Sequence, residues 1–301
     1  MFSLNLTETM RSRGADYLLT VSLGLGVDST ALLIGLRNRG IVPDLINFAN
    51  TGGEKPDTYK YLLILQKWCR ENGFPKIKTV MRKPLKSEDV RPGSRKSGYA
   101  HPTAGYKTLE EQCHVFHDLP ALAYGRKTCS QKWKREPIQA YQKQWVKKFP
   151  GDPIMVATLG IEYGEERRIK NADKGYLNWY PLIEWKWDRL ECIKAIAAAG
   201  LPIPPKSSCF FCPAMRKEEI VALAENYPEL LERALAIEDG AKPYLRNSVA
   251  GLGRRLNWRD YLESRSASIP GFDETYLEEE ITACDCYDGG GTNKLYNGVV
   301  V

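Results

Sequence analysis

Short runs of β-prone apolar residues alternate with amphipathic stretches through the first part of the chain. Tyr17 to Ser22 is one such run, ended by glycine, and predicts a buried strand. Ser29 to Arg39 predicts a helix, stopped by Gly40 where a left-handed residue usually closes a helix. Asp44 to Ala49 predicts a second strand, leading into a turn at Asn50-Thr-Gly-Gly53. A helix follows from about Pro56 to Asn72: the proline sits near its start, Gly73 follows its end, and Tyr59, Leu62, Leu63, Gln66 and Cys69 recur at helical spacing. Ile77–Met81 and Pro153–Thr158 predict further strands. Strands alternating with helices predict an α/β fold, a parallel twisted sheet flanked by helices with right-handed crossovers.

Between these strands, residues 82–128 are rich in Pro, Gly, Lys and Ser with little periodicity, and predict a long functional insertion that could act as a lid. Asp188 to Ala199 predicts a helix with Asp188 as N-cap and Gly200 as its stop. Residues 217–239 predict two short helices parted at Asn226-Tyr-Pro228. No internal repeat is present. The pattern predicts one domain over residues 1–215, carrying the insertion, then a mainly helical C-terminal region and tail over 216–301.

Composition narrows the class. At 301 residues, with 43% hydrophobic and 27% charged, the chain can bury a large core. The N-terminal stretch lacks the apolar core of a signal peptide and no stretch approaches a membrane span, so the expectation is a cytoplasmic protein without a membrane partner. In that compartment the eight cysteines read as thiols or metal ligands rather than disulfides. The net charge of +6 is concentrated: residues 76–96 hold eight Lys/Arg against Glu88 and Asp89. Either that segment meets an acidic partner such as a nucleotide or nucleic acid, or it is a solvated loop.

The stretch Val21-Ser-Leu-Gly-Leu-Gly-Val-Asp-Ser-Thr30 carries the chemistry. Glycines between a strand and a helix let phosphate oxygens reach the unpaired N–H groups of the helix start. There is no lysine of the common nucleotide P-loop. Asp28 would hold Mg²⁺ or brace the loop, and Ser29 and Thr30 offer hydroxyl donors. A plain strand–helix turn capped by Asp and Ser is the simpler alternative.

The loop resembles the Ser-Gly-Gly-x-Asp-Ser pyrophosphatase-type loop of the adenine nucleotide α-hydrolase-like superfamily. That group includes phosphoadenosine-phosphosulfate reductases, N-type ATP pyrophosphatases and ATP-dependent tRNA-thiolation enzymes. The matching residues are Gly24 to Ser29, with Gly24 in place of the serine and Leu25 in place of a glycine; Ser22 could supply the missing hydroxyl. Three further segments follow in the family's order. Phe48 to Glu54 is similar to its Thr-Gly-x-Glu segment, which implies nucleotide-pocket roles for Thr51, Gly52 and Glu54. Gly160 to Arg168 is similar to Gly-Ile-Arg-x-x-Glu-Ser-x-Arg, with Glu162 in the arginine position and Arg167 or Arg168 left to reach an anionic group. Tyr180 to Trp185 is similar to its Tyr-Pro-Leu segment.

Lys206-Ser-Ser-Cys209-Phe-Phe-Cys212-Pro213 has the spacing of a metal knuckle, and a closed site needs four ligands. Together with Cys129 in Arg126-Lys-Thr-Cys-Ser-Gln-Lys-Trp-Lys134, it resembles a phage and bacterial reductase-like branch related to enzymes that insert sulfur into DNA backbones. The resemblance implies a cysteine quartet holding a [4Fe–4S] cluster, with Zn²⁺ as the other occupant such a quartet suits. Cys113 is the expected fourth ligand, in competition with Cys284 or Cys286 and, more remotely, His117. Lys134 aligns with a lysine near the nucleotide's anionic end; its plainer reading is a solvated helix lysine.

The resemblance therefore implies an enzyme that binds ATP with Mg²⁺, cleaves at the α-phosphate to AMP and pyrophosphate, and activates a substrate for sulfur transfer. DNA or tRNA is the expected acceptor, and a cysteine desulfurase or other complex partners are expected to act with it. Asp28, Ser29 and Lys134 are the candidate catalytic residues. A phosphoadenosine-phosphosulfate (or adenylylsulfate) reductase is the first alternative, although the family's Glu-Cys-Gly-Leu-His tail is absent. A non-catalytic nucleotide- or nucleic-acid-binding subunit of a defence or modification complex is the second.

Overall fold

A computed structural model describes residues 17–86, 105–151, 153–172, 175–245 and 248–266. In chain order the main elements are β1 Tyr17–Leu23, α1 Val27–Asn38, β2 Leu45–Ala49, α2 Pro56–Glu71, β3 Lys78–Val80, α3 Leu109–Phe116, α4 Glu136–Trp145, β4 Ile154–Thr158, β5 Tyr176–Trp179, α5 Arg189–Ala198, α6 Lys217–Asn226, α7 Pro228–Ala241 and α8 Trp258–Ser266. The chain divides into two compact units, and both are discontinuous in sequence. The first holds residues 1–50, 55–81 and 135–207; the second holds 51–54, 82–134 and 208–301. The stretch read as an insertion and the C-terminal helices thus fall within the same unit.

The first unit is an α/β fold built on one five-stranded sheet in the order β3-β2-β1-β4-β5, with every pairing parallel. Parallel strands need covered faces, which explains why β2, Leu-Ile-Asn-Phe-Ala, is buried at every position. Alternation along β2 shows how each face is covered. Ile46 and Phe48 join a core with Leu32, Leu33 and Leu36 of α1, Tyr61 and Leu65 of α2, and Ile196 of α5. Asn47 and Ala49 point to the other face, where Gln142 of α4 donates to Asn47 at 3.2 Å and Ile138 packs on Ala49 and Val80.

The predicted strands and helices of this unit appear within two residues of their expected bounds, and β5 and α4 are additions. Four residues are too few to show a period, and β5 pairs only with β4 at the sheet edge. Between the two glycines that join β1 to α1 stands a leucine under strain: Leu25 has φ 61 and is fully buried. Burial of its side chain, worth about 2–3 kcal/mol, outweighs the roughly 1–2 kcal/mol of left-handed backbone.

The second unit is helical. α3 begins with a capping box: Thr108 accepts from the Glu111 N–H at 3.1 Å, and Glu111 accepts from the Thr108 N–H. Pro228 starts α7 and separates it from α6, as its missing N–H and fixed φ require. Trp133, Phe210, Phe211, Leu252 and Trp258 form the centre of this unit's core. Within it lies a fully buried carboxylate, Glu238 of α7, which accepts from the N–H groups of Leu252 at 2.8 Å, Trp258 at 3.0 Å and Arg259 at 3.3 Å. It ties the loop before α8 to α7 and caps the start of α8.

No helix among the described residues is long and apolar enough to cross a membrane. Residues 87–96 of the basic segment, most of the 82–104 stretch and the tail with Cys284 and Cys286 lie outside the described residues.

Candidate functional site

In the first unit, chain order and sheet order part company at β1. The chain moves outward from β1 to β2 and β3 on one side, and returns to β4 and β5 on the other. Loops leaving neighbouring strands in opposite directions open a crevice at their carboxyl ends, which is where such sheets bind ligands. Both loops at this point are those singled out in the sequence. β1 runs into Gly24-Leu25-Gly26 and α1; β4 runs into Leu159-Gly160-Ile161-Glu162.

No side chain caps α1 from its N-cap, Gly26. Ser29, mostly buried, donates its hydroxyl back to the Gly26 carbonyl at 3.2 Å, while the Thr30 hydroxyl turns into the core beside Tyr61. Ser22 is half-buried near the end of β1. Gly160 lies against the first turn of α1: a Cβ there would sit 3.0 Å from the Asp28 carbonyl carbon and the Ser29 nitrogen. A side chain there would press the two loops apart by a few tenths of an ångström. Ser207 joins them, its hydroxyl 3.7 Å from where a Cβ of Gly26 would be.

Asp28 and Glu162 stand on these two loops and share Arg189, the first residue of α5. Arg189 Nη1 is 2.8 Å from Asp28 Oδ1, and its Nε is 3.2 Å from Glu162 Oε2. Burial, then the nearby Asp28 charge, pushes the Glu162 carboxyl up to about 8, against a smaller pull downward from Arg189. The buried Cys192 thiol lies beside them and is itself pushed up by burial and the same two carboxylates. Among the described residues, Asp28, Glu162 and Cys192 are the one trio of potential ligands whose donor atoms all lie within 4.8 Å of one another. Arg167 is exposed, and Arg168 is ion-paired with Glu165.

The second unit assembles the other predicted residues. Thr51, Gly52 and Glu54 belong to it and lie along the cysteine knuckle. The Phe210 N–H donates to the Gly53 carbonyl at 2.8 Å, Thr51 Oγ1 is 3.2 Å from Cys209 Sγ, and Glu54 is bridged to Cys209. A Cβ on Gly52 would strike Thr108 at 2.4 Å, and one on Gly53 would strike Phe211 at 2.6 Å, so both glycines are dictated by close packing. Glu54 is 4% exposed and pairs with Lys134 Nζ at 3.1 Å. Lys134 stands on a π-helical turn, Gln131–Arg135, a distortion that often marks a site that does work.

All four predicted thiols are in this unit, and none is in a disulfide. Cys113, Cys209 and Cys212 are buried and Cys129 half-buried, all in or against the same core cluster. The Cys113 thiol is pushed well up, first by burial, then by the charges of Asp118, Cys209 and Cys129. Burial raises Cys129 as well, while hydrogen bonds from the backbone of Leu122 and Ser130 and the charge of Lys134 pull it back. His117 ends α3 in a left-handed turn and stacks on Tyr244 at 5.6 Å, a structural role.

Arg189 and Ser207 were not singled out in the sequence, and Cys192 reads there as a core residue of a helical pattern, which its burial bears out. One signal was available for Arg189. A cation at the first position of a helix faces the positive end of the dipole, which favours a carboxylate partner elsewhere in the fold. The fold and the two loops define an α/β protein whose switch point lies between β1 and β4. The sequence matches no family model and no curated protein.

Proposed function

We propose that this chain is an ATP-dependent enzyme that cleaves at the α-phosphate, releases pyrophosphate and activates a substrate for sulfur transfer to a nucleic acid. The observation that carries this reading is the uncapped start of α1 at the carboxyl end of β1, closed on its other side by the Gly160 backbone. Amide N–H groups with no side-chain cap, next to glycines that admit a ligand, favour phosphate oxygens. Asp28 is the carboxylate at that helix start, and Mg²⁺ typically takes one or two carboxylates together with substrate phosphates. Cys192 is too soft a donor for that ion. Mg²⁺ would supply charge neutralisation on the phosphates. The chain's own contribution is to orient the polyphosphate on the α1 N–H groups and to stabilise the charge that builds on the leaving pyrophosphate.

The thiol set of the second unit fits an iron–sulfur cluster, which would be held by Cys113, Cys129, Cys209 and Cys212. Buried thiols become stable thiolates once they surround a cationic centre. Tetrahedral zinc would set sulfurs about 3.8 Å apart, from a Zn–S bond of about 2.3 Å. No three of these thiols lie within 4.8 Å of one another, so zinc would have to draw them in. A cluster supplies redox and sulfur chemistry when bound. Lys134, held by Glu54, keeps a positive charge near Cys129 and favours its thiolate. The concentration of lysine and arginine over residues 76–96 supports a nucleic acid as acceptor.

Incubation with ATP and Mg²⁺ tests the core of the reading: AMP and pyrophosphate are expected. ADP and phosphate would overturn it, and tight nucleotide binding without turnover would move the chain to the binding-subunit alternative. Anaerobically purified protein is expected to be brown, with iron and acid-labile sulfide; colourless protein with stoichiometric zinc would replace the cluster and keep the ligands.

A further inference from the structure

We infer that Arg189 is a phosphate-binding residue of the α1 crevice, directing its guanidinium at the polyphosphate of the bound nucleotide; this deepens the nucleotide reading above and rests on it. The inference starts from a broken local rule. Arg189 is the first residue of α5, after the N-cap Asp188, which accepts from Glu191 N–H at 2.9 Å. A cation there opposes the helix dipole and gains nothing from its own helix. Its side chain instead reaches the two loops that frame the crevice, contacting Asp28 on one and Glu162 on the other at 2.8 and 3.2 Å.

Those contacts place the guanidinium between the two loops. The Arg189 side chain is 26% exposed, against 16% for Asp28 and 11% for Glu162, so the cation is the most open member of the trio. A planar guanidinium held between two loops and partly exposed is pre-organised for contact with an anion. It also resolves an electrostatic conflict. The Asp28 carboxylate beside the start of α1 would repel a polyphosphate, and Arg189 offsets its charge so that an anion can approach. Sharing local rules is the norm in folded chains, and their violation marks places shaped for a ligand.

The test measures dissociation constants of ATP and adenosine for the full chain, unaltered and with Arg189→Gln or Arg189→Lys. One lost charge-assisted contact predicts an about 10- to 100-fold weaker ATP complex for Arg189→Gln, with adenosine unchanged. Lysine keeps the charge that a mere counter-ion needs but has no fork, so Arg189→Lys is expected to remain weakened. Wild-type ATP affinity in Arg189→Lys, or in Arg189→Gln, would overturn the inference and leave the nucleotide reading standing. If the variants lose adenosine as well, the ¹⁵N resonance of the Arg189 side chain in the unaltered protein decides: a shift on adding ATP but not adenosine supports the contact, and no shift overturns it. Failure of the unaltered chain to bind ATP would overturn the nucleotide reading itself, and the inference with it.

Discussion

Glu162→Gln offers a prediction whose size follows from the site. Glu162 is buried between Asp28 and Arg189, and its carboxyl is raised from an ordinary 4.5 to about 8. Between these two values the folded chain keeps the proton and the unfolded chain releases it. The unfolded state is therefore stabilised relative to the folded one as pH rises, and the stability present below pH 4.5 is lost progressively up to pH 8. At 1.36 kcal/mol per pH unit, the loss is below about 1 kcal/mol at pH 5 and reaches at most about 5 kcal/mol at pH 8. A glutamine has nothing to release, so the stability of Glu162→Gln over wild type should widen by about 4 kcal/mol across that range. Urea unfolding, read by pulse-labelling hydrogen exchange in the peptide carrying α1 and in buffer containing EDTA, isolates the first unit. Comparing both proteins at the same pH cancels intrinsic exchange. A gap constant within about 1 kcal/mol from pH 5 to 8 would refute the argument and place the Glu162 proton elsewhere.

Leu25 should invert the usual ranking of small residues: at φ 61, Leu25→Gly is expected to be about 1 kcal/mol more stable than Leu25→Ala, both less stable than wild type by about 2–5 kcal/mol, in denaturant titrations. Equal stabilities would show that the backbone relaxes once the side chain is gone. Glu238→Ala strands the N–H groups of Leu252, Trp258 and Arg259, and should cost about 3–5 kcal/mol, seen as accelerated exchange of those amides before the sheet of the first unit responds. Cys129→Ser and Cys212→Ser should each lower bound iron and sulfide several-fold, whereas Cys69→Ser, in the hydrophobic core of the other unit, should leave metal content unchanged.

The α/β architecture was legible because its strands and helices carry their own signals. Tyr17–Leu23, Leu45–Ala49 and Ile154–Thr158 are apolar runs between glycines or prolines, and α2 displays its proline, its glycine and its stripe. β5 is four residues long and was not legible. α3 was legible in principle, since Thr108 and Glu111 spell a capping box, but the surrounding Pro, Gly and Lys hid it. The glycine loop and Gly160 could be picked out from local sequence. What no local signal conveys is partnership across the fold: Arg189 with Asp28 and Glu162, or Glu54 with Lys134, are pairs separated by 161, 27 and 80 positions respectively. Likewise, Leu25 reads as a misplaced residue in a glycine loop until its burial is known.

The discontinuity of the second unit has a consequence for how the protein is made. Cys113 and Cys129 leave the ribosome early, but Cys209 follows Cys129 by 80 residues, an interval of roughly 4–16 s at ordinary synthesis rates. During that interval Thr51 and Gly53 lack the knuckle they pack on, and two thiols stand without the other two. The proposed cluster is therefore a product of late synthesis, and a chain stalled before Ser208 would carry a nascent sheet and half a set of thiols exposed to oxidants. For the proposed cluster, supply of iron and sulfide would then be a matter of timing relative to translation as much as of affinity.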